Sequence, residues 1–126
     1  MKRTLPKGHW ICCNYEHIGQ ICDRCGNVRP LFIPLKRKYF EAFAKGEKTT
    51  EYRPYGPRWN DKTCVPGRPV VLSLGYGKRD RLSGIIADAV QDPMVAFTRE
   101  WNEVYGDKPQ AVPFAIFIMN IQRVFP

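Results

Sequence analysis

The chain has 126 residues, 44 % of them apolar and 13 % aromatic, enough for the core of one domain and too much for a disordered segment. Lysine and arginine number 20 against 12 acids, a formal charge of +8, which favours a polyanion such as nucleic acid, because each neutralised phosphate releases condensed counterions. No apolar run is long enough to span a bilayer and the start, MKRTLPKGHW, lacks the apolar stretch of a signal peptide, so no membrane partner is expected and the expected compartment is cytoplasmic.

Taken in chain order, residues 1–30 form a cysteine-rich head and residues 31–126 a body. The head, HWICCNYEHIGQICDRCG, offers His9, Cys12, Cys13, His17, Cys22 and Cys25. Clustered thiols without an export signal suggest metal rather than disulfides. Zinc takes four thiolate or imidazole ligands in a tetrahedron, and a C-x-x-C turn supplies two of them. Cys22 and Cys25 make such a knuckle, with Gly26 behind it. Cys12 with His17 would complete the set; His9 with Cys12 is the rival pair, and Cys13 can replace Cys12. So short a head, with so little apolar content, would need the metal in order to fold. It resembles, in its tryptophan-led start and C-x-x-C-G end, small zinc ribbons of the Ran-binding-protein type, which normally use four cysteines and a longer central loop.

The body begins with Leu31–Phe32–Ile33 between two prolines, a short strand. KRKYFEAFAKG then places Tyr39, Phe40 and Phe43 at helical spacing and stops at Gly46. TTEYR favours a strand, and PYGPRWNDKTCVPGRP a long loop carrying Arg58, Trp59 and Lys62. VVLSL and LSGIIADAV read as a hairpin around the basic turn GYGKRDR. PMVAFTREWNEVYG predicts one amphipathic helix with Met94, Phe97, Trp101 and Val104 or Tyr105 on its buried face, and VPFAIFIMNIQRV a closing strand. The order β-α-β-β-β-α-β predicts an α+β fold, a small mixed β-barrel with flanking helices.

The stretch KGEKTTEYRPYG carries the densest chemistry. On a strand, Thr49, Glu51 and Arg53 share one face and Thr50 and Tyr52 the other, with Lys48 where the preceding helix ends. A lysine, a carboxylate and a guanidinium can thus converge to hold a base edge and a phosphate, or to perturb the lysine's pKa for catalysis. An ordinary Glu51–Arg53 pair on a solvated strand is the plainer alternative. Tyr55, Trp59 and Tyr76 lie in loops beside Arg58, Lys62, Lys78, Arg79 and Arg81, the mixture of aromatics and cations that suits unpaired bases.

LFIPLKRKYFEAFAKGEKTTEYRPY, followed by VPGRPVVLSLGYG and LSGIIADAV, resembles the ASCH domain, a branch of the PUA-like β-barrel superfold. Its pattern G-x-K-x-x-E/T-x-R falls on Gly46, Lys48, Glu51 and Arg53, with Pro66–Gly67 as the later turn. The resemblance implies a barrel cleft that binds RNA or a nucleotide, with Lys48 and Arg53 near the ligand. Some members look like amidohydrolases of N4-acetylcytidine that use a motif lysine, a motif threonine and a later glutamate. Here Glu51 stands at the threonine's place, and Glu100 or Glu103 is the candidate later glutamate. Other members cut RNA, for which Lys48 with Tyr52 or Tyr76 would serve. The expectation is therefore a binder of RNA or single-stranded nucleic acid through Lys48, Glu51, Arg53, Arg58, Trp59, Tyr76, Lys78 and Arg79. The alternatives are an enzyme in which Lys48 and Glu51 are catalytic, and a zinc-stabilised protein-interaction module.

Overall fold

The computed structural model describes residues 9–12, 15–18, 29–77 and 79–124. The chain divides into two compact units, Met1–Pro30 and Leu31–Pro126. In the first, strands β1 (His9–Cys12) and β2 (Tyr15–Ile18) pair antiparallel, with Trp10 opposite His17 and Cys12 opposite Tyr15. Cys13, Cys22 and Cys25 lie outside the described residues.

The second unit contains β3 (Leu31–Leu35), α1 (Arg37–Ala44), β4 (Thr50–Pro54), β5 (Pro69–Leu74), β6 (Arg81–Gln91), a 3₁₀ turn (Pro93–Phe97), α2 (Arg99–Tyr105) and β7 (Pro113–Val124). The strands form one mixed sheet in the order β3-β5-β6-β7-β4, with β3–β5 parallel and the other pairs antiparallel. This half-barrel with two helices is a small α+β fold.

Alternation decides which side chains go inside. In β3, Leu31, Ile33 and Leu35 are buried while Phe32 and Pro34 look outward; a proline is tolerated there because β3 is an edge strand. Val70 and Leu72 of β5, Leu82 and Ile86 of β6, and Phe114, Ile116 and Ile118 of β7 complete the interior, which Phe40 and Phe43 of α1 cover. Gly84 lets β6 cross this interior closely, since a Cβ there would stand 2.7 Å from Ile118 Cγ2. The register shifts twice along β6–β7, and Asn120 takes a φ of 56°, irregularities that bend paired strands. The sheet's two edges are linked by a side chain: Arg53 Nη2 of β4 donates to the Pro34 carbonyl of β3 at 2.6 Å.

Two expectations need correction. The single helix read over residues 93–106 is broken at Thr98, whose extended backbone (φ −80°, ψ 150°) separates the 3₁₀ turn from α2. Asp92 accepts from the Met94 N–H and Thr98 from the Trp101 N–H, so each piece has its own N-cap. Trp101 and Val95 are buried, but Met94 and Phe97 are exposed rather than on a core face. Trp59, expected as an exposed loop aromatic, is only 6 % exposed and packs into the core beside Cys64. Its loop is organised around Asn60, which bonds four backbone groups between Gly56 and Thr63.

Among the described residues no helix is long and apolar enough to cross a membrane.

Candidate nucleotide cleft

The cleft is built on the entry to β4. Gly46, at φ +77°, turns the chain back after α1, and the N–H groups of Glu47 and Lys48 both donate to the Ala42 carbonyl. The turn aims Lys48 at the strand it precedes. In β4, Glu51 pairs with Ile116 and Arg53 with Phe114, and both partners are fully buried. Cross-strand pairs share a face, so Glu51 and Arg53 occupy inner positions that apolar side chains would normally fill. Glu51 is 6 % exposed.

These charges satisfy one another in a fixed pattern. Glu51 Oε2 accepts from Arg53 Nε at 2.9 Å and lies 2.8 Å from Arg53 Nη2, while Glu51 Oε1 lies 3.5 Å from the Lys48 ammonium. The Arg53 guanidinium sits 4.8 Å from the centre of the Trp59 ring, and that of Arg58 5.2 Å from it. Lys48 is also ion-paired with Glu100 of α2. Its ammonium lies 5.1 to 5.4 Å from the rings of Tyr39, Tyr52 and Phe43. Burial pushes the Lys48 pKa down, against the opposing pull of Glu51.

Above Lys48, α2 is tied to α1 through Glu103. Its Oε2 accepts from Lys38 Nζ at 2.8 Å and from the Tyr39 hydroxyl at 2.9 Å, and its Oε1 lies 3.4 Å from Arg99 Nε. The Lys38 and Tyr39 hydrogen bonds draw the Glu103 pKa down. Burial, reinforced by the bond to Glu103, pushes the Tyr39 hydroxyl up to about 12.

Between α1, α2 and the start of β4 lies a cavity of about 670 Å³, within the size range of sites for small organic ligands. Its charged lining is balanced, Lys38, Lys48 and Arg99 against Glu47, Glu100 and Glu103, and the side chains of Thr49, Thr50 and Tyr52 complete the floor. A smaller cavity of about 130 Å³ shares Tyr39, Tyr52 and Glu100 with it and reaches Glu51, Arg53 and Lys36. Equal numbers of acids and bases make a poor clamp for a row of phosphates. They suit a group that both donates and accepts hydrogen bonds, as a base edge does.

Of the residues expected from the sequence, Lys48, Glu51 and Arg53 come together, although Arg53 is spent on Glu51 and Pro34. Arg58 is exposed but lies against Trp59. Tyr76 and Arg79 are exposed on the β5–β6 turn and do not line either cavity; Lys78 lies outside the described residues. Sequence reasoning missed Tyr39, Lys38 and Arg99 as cleft residues. The available signal was a lysine and a tyrosine side by side on α1 and an arginine at the start of α2, where simple apolar or solvated residues would serve as well.

The half-barrel, its two helices and the cleft beneath them make a small α+β domain. Among solved structures it is similar to the crystal structure of the ZmASCH S128A mutant protein from Zymomonas mobilis, with a TM-score of 0.55 and 13 % identity over 73 % of this chain and 68 % of that one. This shared fold is that of an ASCH-named protein. No family model and no curated protein matches the chain.

Proposed function

We propose that the cleft binds one nucleotide unit of RNA or of another single-stranded nucleic acid, with the base in the cavity and Lys48 at its floor. The observation that carries this reading is the Lys48 ammonium: held at the cavity by Glu51 and Glu100 and ringed by Tyr39, Phe43 and Tyr52. An ammonium has three protons to donate, and one fixed at a cavity wall can serve an acceptor on a base edge. The balanced lining favours a base edge, the +8 charge favours the polyanion that carries it, and the likeness in fold to an ASCH-named protein agrees. The test is fluorescence anisotropy with labelled single-stranded RNA. Binding at low salt that falls severalfold in Lys48→Ala, with an unchanged circular dichroism spectrum, is the expected result. Negligible binding by the unmodified chain would sink the reading.

A second reading, a hydrolase acting on a modified cytidine or on RNA, draws on the depressed Lys48 pKa. It also draws on Glu100 beside Lys48 and on two threonines, Thr49 and Thr50, in the same cavity. A neutral lysine can take a proton from a hydroxyl nucleophile or from water. Turnover of N4-acetylcytidine or cleavage of labelled RNA, lost in Lys48→Ala, distinguishes this enzyme from a binder that leaves both intact.

For the head, we propose a structural zinc held by Cys12, His17, Cys22 and Cys25. Among the described residues no group of three or more candidate ligands comes together, and two of the four lie outside them. Metal analysis of the purified chain should find one zinc, lost in Cys22→Ser/Cys25→Ser; a metal-free chain would refute the proposal.

A further inference from the structure

The β5–β6 turn presents an aromatic surface that the cleft does not use. Tyr76 is 79 % exposed, an unusual place for so large an apolar surface on a turn that is otherwise tightly bonded. Gly75, at φ +62°, donates its N–H to the Leu35 carbonyl at 2.9 Å, and Leu74 donates to the Asp80 carbonyl. The Gly77 carbonyl accepts from Ser73 Oγ at 3.1 Å and from Arg81 Nε at 3.2 Å. Four hydrogen bonds therefore tie the described residues around Tyr76 to β3, β5 and β6.

Tyr76 is not alone. Its ring is tilted by 35° against that of Phe32, with centroids 6.0 Å apart. Phe32 points to the outer face of β3, and Arg81 Cζ lies 5.5 Å from its centroid. By register Phe32 of β3 lies opposite Val71 of β5, and Arg81 of β6 opposite Ser73, two residues further on, so the guanidinium reaches Phe32 diagonally across β5. Arg79 is exposed on the same turn, and the cations there outnumber the single acid, Asp80. An exposed tyrosine backed by a partly buried phenylalanine and flanked by guanidiniums is an arrangement on which unpaired bases can stack while cations meet the backbone.

We propose that Tyr76, Phe32 and Arg81 form a second base-stacking subsite for a single-stranded nucleic acid whose neighbouring nucleotide occupies the cleft. The placement supports continuity: the turn is bonded to Leu35, and the next residue, Lys36, lines the smaller cavity. This subsite rests on the reading of the cleft as a nucleotide site, and it fixes a minimum ligand length that a cleft alone does not require.

The experiment compares a labelled twelve-nucleotide single-stranded RNA of mixed sequence with cytidine 5′-monophosphate, on the full chain. Tyr76→Ala should weaken the RNA by about 5- to 100-fold, the range that one stacked base supplies, and leave the mononucleotide unchanged. Tyr76→Trp should restore RNA binding, which a merely structural tyrosine would not predict. Lys48→Ala should weaken both ligands. RNA affinity unchanged in Tyr76→Ala, or an equal loss for RNA and mononucleotide, overturns the subsite. RNA binding that depends on Tyr76 while the mononucleotide fails to bind at all would retain the stacking surface and defeat the cleft reading instead.

Discussion

Strands β5 and β4 line the same interior, yet they fill it with opposite chemistry. β5 contributes Val70 and Leu72, both essentially inaccessible. β4 contributes Glu51 and Arg53 at positions whose β7 partners, Ile116 and Phe114, are wholly apolar. Apolar burial needs no partner geometry, so the β5 side stabilises the fold over a wide range of conditions. Charges facing a core must be matched atom by atom, and Glu51 meets that demand with Arg53 on one oxygen and Lys48 near the other. The half-barrel thus separates an apolar wall from a charged wall that borders the cleft proposed to hold a ligand, and four changes would break or sharpen that division.

The largest effect is expected on the apolar wall. Leu72→Ala should cost about 3–4 kcal/mol, since a fully buried leucine leaves a cavity that strands on both sides cannot close. Urea denaturation measures it, and a loss below about 1 kcal/mol would mean that β5 is not the stabilising wall. Nucleic-acid affinity, measured where the variant is still folded, should not change.

On the charged wall, Arg53→Ala should cost about 3 kcal/mol. It leaves the buried Glu51 carboxylate with Lys48 alone, at 3.5 Å, and removes the bridge from β4 to the Pro34 carbonyl. Glu51→Leu/Arg53→Leu should recover part of that loss relative to Arg53→Leu, because the uncompensated carboxylate is gone while Lys48 keeps Glu100. A double variant no better than the single one would show that the pair matters for something other than mutual charge.

Lys48→Met is the sharpest separation of the two walls. Stability should fall by no more than about 1–2 kcal/mol, because the cost of desolvating the cation goes with it, Glu51 keeps Arg53 and the partly exposed Glu100 can turn to solvent, while RNA affinity drops at least tenfold. The sign with pH follows from the depressed Lys48 pKa. Below that pKa the folded chain carries the full penalty of a buried charge. As pH rises through it toward the ordinary value of 10.5, the unfolded chain holds more protons than the folded one, so the original protein gains stability relative to Lys48→Met. A difference that widens in favour of Lys48→Met over that range would contradict the assignment.

The two walls were unequally legible in the sequence. VVLSL and LSGIIADAV announce buried strands through apolar content alone, and the hairpin between them needs only a glycine turn. TEYRP shows which side chains share a face but not that the face is inside. Polar residues argue for solvent, and the contrary information resides in β7, some sixty residues later, which supplies the pairing. Trp59 failed for the same reason: a Pro- and Gly-rich loop predicts exposure, while the burial comes from Asn60 folding the loop onto the core. The break at Thr98 was readable, since Asp92 before Pro93 and Thr98 three residues before Trp101 are both N-cap patterns. The helical spacing of Met94 and Phe97 masked them.

The smallest predicted effect concerns the tie between the helices that roof the cleft. Tyr39 and Glu103 come from α1 and α2, and no local pattern announces their hydrogen bond. Because burial and that bond raise the Tyr39 pKa from 10.0 to about 12, the folded chain keeps a proton that the unfolded chain gives up. The tie's contribution to stability is therefore complete below pH 10 and lost as pH rises through about 12. Tyrosinate absorbance at alkaline pH should show Tyr39 ionising later than it does in urea, as the difference between the original chain and Tyr39→Phe. In Glu103→Gln the shift should shrink without vanishing, since burial, its largest cause, remains. Loss of the whole shift in that variant would make the carboxylate the dominant cause and α2 a looser roof than its packing implies. A shift untouched by the substitution would mean that α1 and α2 are not tied through Glu103.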